Sequence, residues 1–290
     1  MLATLSAIRC RQIAEADTAE VAALLTRGFP THPHRFWRSA LHELRRHEPP
    51  PGLPNYGYLM ECDGAIVGAV LLISSRVRSS DHDAVRCNLS SWYVEPAFRA
   101  YATLLVSQAL QHKEATYTNV SAAPHTWPII EAQGFSRYCD GVFLALPWLC
   151  GLRGGEQIKI FEPSRRPDVA FDPADEEILL QHAKHGCLSL WCATAERAYP
   201  FVFRPRLVKH VLSCAQLIYC GDITEFARFA GPIGRFLARR GWPFVIIDSN
   251  GPLPGLVGMF CRGSMTKYFK GPQRPRLGDL AFSEYAVLGI

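Results

Sequence analysis

The sequence has no uninterrupted apolar stretch near the ~20 residues that a membrane-spanning helix needs. Its longest candidate, residues 65–75, has the length of a strand. Residues 1–8 are too short for a secretory signal, and Arg9 and Arg11 follow them at once. We therefore expect a cytoplasmic protein without a membrane span.

The sequence also has no C-x-x-C pair among its ten cysteines, so the spacing typical of zinc ligands is missing. Most of these cysteines lie inside apolar runs, where a free thiol packs as a small core residue. We predict reduced core cysteines and no metal site. The glycines at 251, 255 and 258 are not followed by a Lys-Ser/Thr pair, so no nucleotide phosphate loop is predicted.

A strong charge of either sign is missing as well. The net charge is +5 and the isoelectric point is near 8.7. This mild excess suits an anionic ligand, but it is too small and too scattered to predict DNA binding. A length of 290 residues with 48% hydrophobic residues allows one large globular domain or two ordinary ones.

A strand, a turn and a helix follow one another within residues 89–110. Residues 89–94 are rich in aromatic and β-branched side chains, which predicts a strand. Pro96 interrupts the strand because it lacks a backbone donor. From Ala100 onward, apolar residues recur at helical spacing. The first amides of a helix have no internal partner and attract anions, and Arg99 adds a full positive charge there.

Two short motifs in this part of the chain resemble the GNAT superfamily, the acyl-CoA-dependent N-acyltransferases. Residues 94–99, Val-Glu-Pro-Ala-Phe-Arg, are similar to the fourth strand and the start of the pyrophosphate loop of that family. Residues 129–135, Ile-Ile-Glu-Ala-Gln-Gly-Phe, are similar to its Leu-Tyr-Glu-Lys-Leu-Gly-Phe segment. The sequence departs from the family at Ala100, Ala102 and Leu104, where glycines are usual.

The resemblance implies the fold class: α/β, with an α+β type of mixed sheet. The predicted order of elements over residues 8–146, β-α-α-β-β-β-α-β-α-β-β, is the order of the GNAT fold. We expect a GNAT-like acyl-CoA-binding domain at 1–150, a linker at 151–172 and a second α/β domain at 173–290. The second half echoes the first as α-β-β-β-α-β with a closing strand at 281–288. It is either a degenerate GNAT-like domain or an unrelated α/β extension.

The resemblance also implies where an acyl-CoA binds. Backbone amides of the fourth strand polarise the thioester carbonyl, and the following loop holds the pyrophosphate. The cofactor-binding residues implied are Trp92, Tyr93, Val94, Arg99, Ala100, Tyr101, Ala102, Thr103 and Leu104.

Three residues are candidates for catalysis, because deprotonation of an amine needs a base. Glu95 ends the fourth strand, His125 follows Pro124 near the expected cleft, and Glu284 is a charge in the apolar segment expected to close the sheet. Each also has a structural interpretation as a loop carboxylate, a loop histidine or a solvent-facing edge residue. The tyrosine that the family often uses as an acid is replaced by Ile130.

We therefore predict an N-acyltransferase that takes acetyl-CoA or a longer acyl-CoA and a small-molecule or peptide amine. Two alternatives remain open. The loss of loop glycines also suits a GNAT fold that binds or senses a ligand without catalysis. The basic charge and the expected tandem domains also suit an aminoacyl-tRNA-dependent transferase, whose tRNA binding would be sensitive to salt.

Overall fold

The computed structural model of the protein describes residues 8–78, 83–151, 157–208 and 211–290. Within them the chain forms two compact units. Unit 1 contains the described residues up to Asn119 together with Lys270–Gln273. Unit 2 contains Val120–Phe269 and Arg274–Ile290. No helix in these ranges is long and apolar enough to cross a membrane.

Unit 1 is a five-stranded sheet with three α-helices, and its strands follow the order β1-β2-β3-β4-β5. The neighbouring pairs are antiparallel except for β4 and β5, which are parallel. The elements are β1 (Ile8–Gln12), α1 (Thr18–Gly28), α2 (His34–Arg46), β2 (Gly57–Cys62), β3 (Ala65–Arg78), β4 (Asp83–Val94), α3 (Ala102–Ala109) and β5 (Ala115–Asn119).

Unit 2 is a seven-stranded sheet in the order β12-β6-β11-β10-β9-β8-β7, again with one parallel pair, β10 and β11. Its elements are α4 (Trp127–Ala132), β6 (Ser136–Ala145), β7 (Lys159–Phe161), α5 (Pro173–Lys184), β8 (Leu188–Ala193), β9 (Ala198–Val208), β10 (Leu212–Cys220), α6 (Ile223–Ala238), β11 (Phe244–Ser249), β12 (Gly258–Lys270) and α7 (Glu284–Val287).

Helix packing on the sheet follows from the apolar stripe of each helix. In unit 1, α1 buries Val21, Leu24 and Leu25, and α2 buries Trp37 and Leu44. Apolar residues at this spacing share one face of a helix, so the polar residues between them stay outside. In unit 2, the long helix α6 covers its strands with a set of buried phenylalanines and aliphatic residues: Phe226, Phe229, Ile233 and Leu237.

The fold class is a mixed α/β fold, as expected. The Cys62-Asp63-Gly64 hairpin joins β2 and β3, with Asp63 and Gly64 both at positive φ. Gly134, just after α4, has φ +84°. It donates its amide to Glu131, as glycines at helix ends commonly do.

The closing strand expected at 281–288 is wrong. Phe282 has φ +55°, and Ser283 then precedes the short helix α7. A short apolar run is compatible with either a buried strand or a buried helix, and positive φ at Phe282 breaks the extended path.

The contacts divide the chain differently from the expected domain ranges. The chain leaves unit 1 after Asn119. The next strand, β6, belongs to unit 2, because it pairs with β11 and β12 of that unit. The range 151–172 contains strand β7, which pairs with β8, while residues 152–156 lie outside the described ranges. The division into sequence domains at residue 150 stays a prediction.

Candidate functional site

The two parallel strands of unit 1, β4 and β5, are paired over only part of the length of β4. Their ladder runs from Val85 opposite Ala115 to Asn88 opposite Thr118. Strand β5 ends one residue later, whereas β4 continues for six residues beyond Asn88. Among the strands of unit 1, the described residues 89–94 therefore pair with β3 alone. We call this place, where β4 continues beyond the end of β5, the unit 1 wedge.

The side chain of Asn88 closes the narrow end of the unit 1 wedge. Its amide nitrogen donates to the Thr118 carbonyl oxygen at 3.1 Å and approaches the Thr118 hydroxyl at 3.4 Å. Both residues are buried. Because a buried amide is costly unless it is hydrogen-bonded, this contact holds the last rung of the ladder in place.

Strand β4 is bent by a bulge immediately beyond this point. The register against β3 shifts between Ser90 opposite Leu71 and Tyr93 opposite Ala69. Ser91 lies in the bulge with φ +50°, a conformation uncommon for a residue with a side chain. Bulges of this kind redirect a strand and its backbone groups, and they are frequent beside binding sites.

The predicted phosphate loop forms a short 3₁₀ helix, Pro96–Tyr101, that runs directly into α3. The amide of Ala102 donates to the Arg99 carbonyl oxygen, so this donor is already used. Helix α3 has no side-chain cap and no acidic residue in its first turn. Its start is therefore free of negative charge, which leaves the partial positive charge of the helix uncompensated.

The nine residues that the resemblance implies for cofactor binding lie along this one strand, turn and helix. Trp92 and Tyr93 are half-buried, and Val94 is buried. Their roles in binding stay predictions. The remaining residues are exposed except for half-buried Ala102: Arg99, Ala100, Tyr101, Thr103 and Leu104.

Glu95, the candidate base at the end of β4, forms an ion pair with Arg27 at the end of α1. The guanidinium and carboxylate atoms are 2.7 Å apart, and both side chains are partly exposed. A pair of this kind contributes little to stability. It does fix the direction of the carboxylate, whose role as a base stays a prediction.

An aromatic cluster that the sequence analysis did not single out lies beside this ion pair. Tyr93 packs against Gly28 so closely that a Cβ atom there would be 2.3 Å from the tyrosine ring. Phe29 contacts Tyr93 and also Trp37, with ring centroids 6.3 and 5.4 Å apart. The glycine at the end of α1 was the available signal, because it permits such a close approach.

His32 belongs to the same cluster. Its ring stacks on Phe36 with centroids 4.5 Å apart and meets Trp37 edge-on at 5.7 Å. Burial lowers the pKa of His32 below its ordinary value. The imidazole is therefore neutral at pH 7 and able to accept a proton.

The other two candidate catalytic residues lie in unit 2. His125 is exposed on the short 3₁₀ turn Pro124–Thr126. Glu284 is 1% exposed and begins helix α7, so the strand expected there is wrong, and so is its interpretation as a solvent-facing edge residue. One of these two side chains faces water and the other is buried, and the catalytic role of each stays a prediction.

The basic and aromatic segment at 267–272 begins inside the core of unit 2. Lys267 and Tyr268 are completely buried in β12. Lys267 pairs with the buried Asp248 of β11, with 2.7 Å between its nitrogen and the nearer carboxylate oxygen, and donates to the Met265 carbonyl oxygen. A buried lysine needs such a partner, and the partner lies in a different strand.

No protein-family model matches the sequence, and no curated protein matches it. Solved structures, in contrast, match the fold of this chain. A GCN5-related N-acetyltransferase from Anabaena variabilis superposes with a TM-score of 0.59 at 10% identity, covering 91% of this chain and 72% of that one. One from Kribbella flavida gives 0.56 at 12% identity, covering 91% and 71%. Eis1 from Mycobacterium abscessus gives 0.53 at 12% identity, covering 94% and 74%.

These likenesses extend over nearly the whole chain. With the wedge, the bulge and the strand-to-helix turn, they show that the protein has the fold of the GCN5-related N-acetyltransferases, the GNAT fold. At identities this low they establish the fold and leave the reaction to be proposed.

Proposed function

We propose that the protein is an acyl-CoA-dependent N-acyltransferase that transfers an acetyl or longer acyl group to an amine of a small molecule or peptide. The observation that supports this most is the unit 1 wedge, where the β4–β5 ladder ends at Asn88 and β4 runs on through a bulge. A thioester needs a strand edge of this kind, because its carbonyl oxygen must accept a backbone amide.

The parts of an acyl-CoA match successive parts of unit 1 in this proposal. The thioester lies along β4, with an amide of residues 92–94 polarising its carbonyl. The pyrophosphate lies at the start of α3, where Arg99 and the helix dipole supply positive charge. The acidic capping carboxylates that would repel a phosphate are missing from the first turn of α3.

Acyl transfer then needs one proton to leave the amine and one to reach the departing thiolate. The neutral amine attacks the carbonyl carbon, a C–N bond forms, and the C–S bond breaks. Glu95 and the neutral His32 are the proposed acceptors of the amine proton in unit 1. The released thiolate takes a proton to give coenzyme A.

The aromatic cluster around Tyr93 favours an acceptor with an apolar or cationic group next to the amine. Aromatic faces attract both apolar surface and cations. The carboxylate of Glu95 directly follows Val94, the last residue of β4, and is paired with Arg27. A cationic acceptor would compete with Arg27 for this carboxylate. We infer a cationic or aromatic amine as the class to screen first.

Binding without catalysis is the second candidate, and one observation favours it. Alanines replace the usual loop glycines, and the Ala102 amide is already used within the 3₁₀ turn. Each change narrows the approach of a phosphate. A protein that binds coenzyme A but releases no free thiol with any amine would support this alternative.

A thermal-shift titration with coenzyme A, acetyl-CoA and a long-chain acyl-CoA tests the proposal. A ligand present at about a hundred times its Kd adds about 2.7 kcal/mol to the folded state. We expect a saturable shift that weakens in Arg99→Ala. The matched control is Arg239→Ala, which removes an exposed arginine after α6 in unit 2. Absence of a shift with every thioester at millimolar concentration would refute the proposed activity.

A further inference from the structure

Unit 2 contains a second wedge, which resembles the first although both of its strands continue beyond the ladder. The parallel ladder of β10 and β11 ends at Gln216 opposite Ile246, while β10 continues to Cys220 and β11 to Ser249. The Gln216 side-chain amide donates to the Ile246 carbonyl oxygen at 3.4 Å. Asn88 and Thr118 make the corresponding contact in unit 1, also at the last rung of the ladder.

Strand β10 is also bulged just after its ladder ends, as β4 is. Its register against β9 shifts between Leu217 and Tyr219. A helix follows the strand in both units, α3 in one and α6 in the other. The same order of parallel ladder, amide contact, bulge and helix therefore occurs twice in the chain.

The edge of β10 in this second wedge is covered by a later segment of the same unit, residues 278–280. The Leu280 amide donates to the Ile218 carbonyl oxygen at 2.7 Å. The Cys220 amide donates to the Gly278 carbonyl oxygen at 3.0 Å. These two bonds flank the bridge between Tyr219 and Asp279 and are those of an added antiparallel strand. The Gly278 carbonyl thus occupies a place where a thioester carbonyl would accept an amide.

Tight packing on both sides holds this segment in place. Before it, Arg276 donates to the Cys220 carbonyl oxygen at 2.6 Å. Gly278 has φ +77°, and a Cβ atom there would lie 2.8 Å from the Cys220 sulfur. After it, Leu280 and Tyr285 join the buried core, and the Tyr285 hydroxyl donates to Val120. The segment is therefore part of the packed interior of unit 2.

The start of α6 is blocked to phosphate by carboxylates. The Asp222 side chain accepts the Thr224 amide at 2.6 Å, and the Glu225 side chain accepts the Asp222 amide at 3.1 Å. This capping box satisfies the free amides with negative charge. The start of α3 has neither a side-chain cap nor an acidic residue in its first turn.

We propose that the two units are tandem GNAT-like units and that the chain binds one acyl-CoA, in unit 1. In unit 2, residues 278–280 occupy the strand edge where the thioester of a second acyl-CoA would bind. This rests on the proposed function, because it assigns the thioester of that activity to one of two similar wedges. Unit 2 then serves as a scaffold whose wedge is filled permanently.

Isothermal titration calorimetry of the full chain with coenzyme A tests the proposal. The same titration is made with three variants that change the charge of an exposed or a capping residue. Thr103→Glu places a carboxylate in the first turn of α3, where α6 already has one. Ser107→Glu adds the same charge to α3 one turn later, at an exposed position. Glu225→Gln removes a carboxylate from the start of α6 while keeping a hydrogen-bonding side chain.

We expect one coenzyme A per chain in the native protein. Thr103→Glu should weaken binding about tenfold or more, the effect of about 1.4 kcal/mol of repulsion. Ser107→Glu and Glu225→Gln should keep the native affinity and stoichiometry. Hydrogen exchange should show the amides of Cys220 and Leu280 protected to the same degree with and without coenzyme A.

The outcomes distinguish failure of the single-site assignment from failure of the proposed activity. Two coenzyme A molecules per chain, or one whose binding responds to Glu225→Gln and not to Thr103→Glu, would overturn the single-site assignment and leave the proposed activity standing. Loss of protection at Cys220 and Leu280 when coenzyme A binds would also overturn it. No binding at all, by heat or by thermal shift, would refute the proposed function and this assignment with it.

Discussion

The ammonium group of Lys267 lies 2.7 Å from a carboxylate oxygen of Asp248, and both side chains are buried in unit 2. A buried charge without its partner is far more costly than a buried pair. We predict that Lys267→Met or Asp248→Leu alone lowers the free energy of unfolding by about 3–5 kcal/mol. The double variant should recover most of this loss in urea denaturation. If each single variant lowers the free energy of unfolding by less than ~1 kcal/mol, the two charges are not coupled.

The contact between Gly28 and Tyr93 gives a second prediction. Alanine is intrinsically better than glycine in a helix by about 1 kcal/mol, so Gly28→Ala in an exposed helix would be favourable. Here the added methyl group would lie inside the Tyr93 ring. We expect a loss of about 1–3 kcal/mol in the free energy of unfolding, typical of overpacking.

A double-mutant cycle with Tyr93→Leu is the control for this second prediction. If the ring causes the loss, Gly28→Ala costs much less in the Tyr93→Leu background. An equal cost in both backgrounds would trace the effect to the helix end itself.

The pair between Arg11 and Asp17 makes the stability of unit 1 depend on pH. The guanidinium holds both carboxylate oxygens, at 2.6 and 2.9 Å, and the Ala14 amide donates to the same carboxylate. The hydrogen bond from Arg11 lowers the pKa of Asp17. A lowered pKa contributes stability above the pKa of the unfolded state, about 3.9 for aspartate, and this stability is lost as the pH falls below it.

We therefore expect Asp17→Asn to destabilise the protein by about 1 kcal/mol at pH 7, because Arg11 is partly exposed and the pair is screened by solvent. The difference from the native protein should shrink as the pH falls below about 4. Thermal melts across this range measure it. A difference that stays constant down to pH 3 would assign the effect to something other than this carboxylate.

The alanines in the turn before α3 give a prediction about affinity. If the Ala100 side chain narrows the approach of the pyrophosphate, Ala100→Gly should tighten coenzyme A binding several-fold. Ala97→Gly, at another exposed position of the same 3₁₀ turn, is the matched control and should leave the Kd unchanged. Equal effects of both changes would mean that flexibility of the turn, rather than space, controls binding.

Much of unit 1 could be predicted because its signals are local. Asp63-Gly64 marks a hairpin through its preference for positive φ. Strand β4 and the apolar stripe of α3 follow from residue type and period. The bulge at Ser91 was not predicted, since serine carries no preference that would single it out.

Predictions failed where the outcome depends on distant residues. The burial of Lys267 could not be predicted, because its partner Asp248 is 19 positions earlier in β11, and β6 lies between that strand and β12 in the sheet. The segment at 281–288 contains the short helix α7 where a strand was expected, because residues 278–280 already complete the edge of β10 and the chain then turns into the core.

By itself, the sequence determined the local conformations and the type of fold, because apolar period, proline and glycine act on the chain within a few residues. It also located the strand, turn and helix of the proposed cofactor site. Only the tertiary structure decided which of the two similar wedges has its strand edge covered. That choice depends on hydrogen bonds between Ile218 or Cys220 and a segment about 60 residues later in the chain, and no local pattern encodes such a pairing.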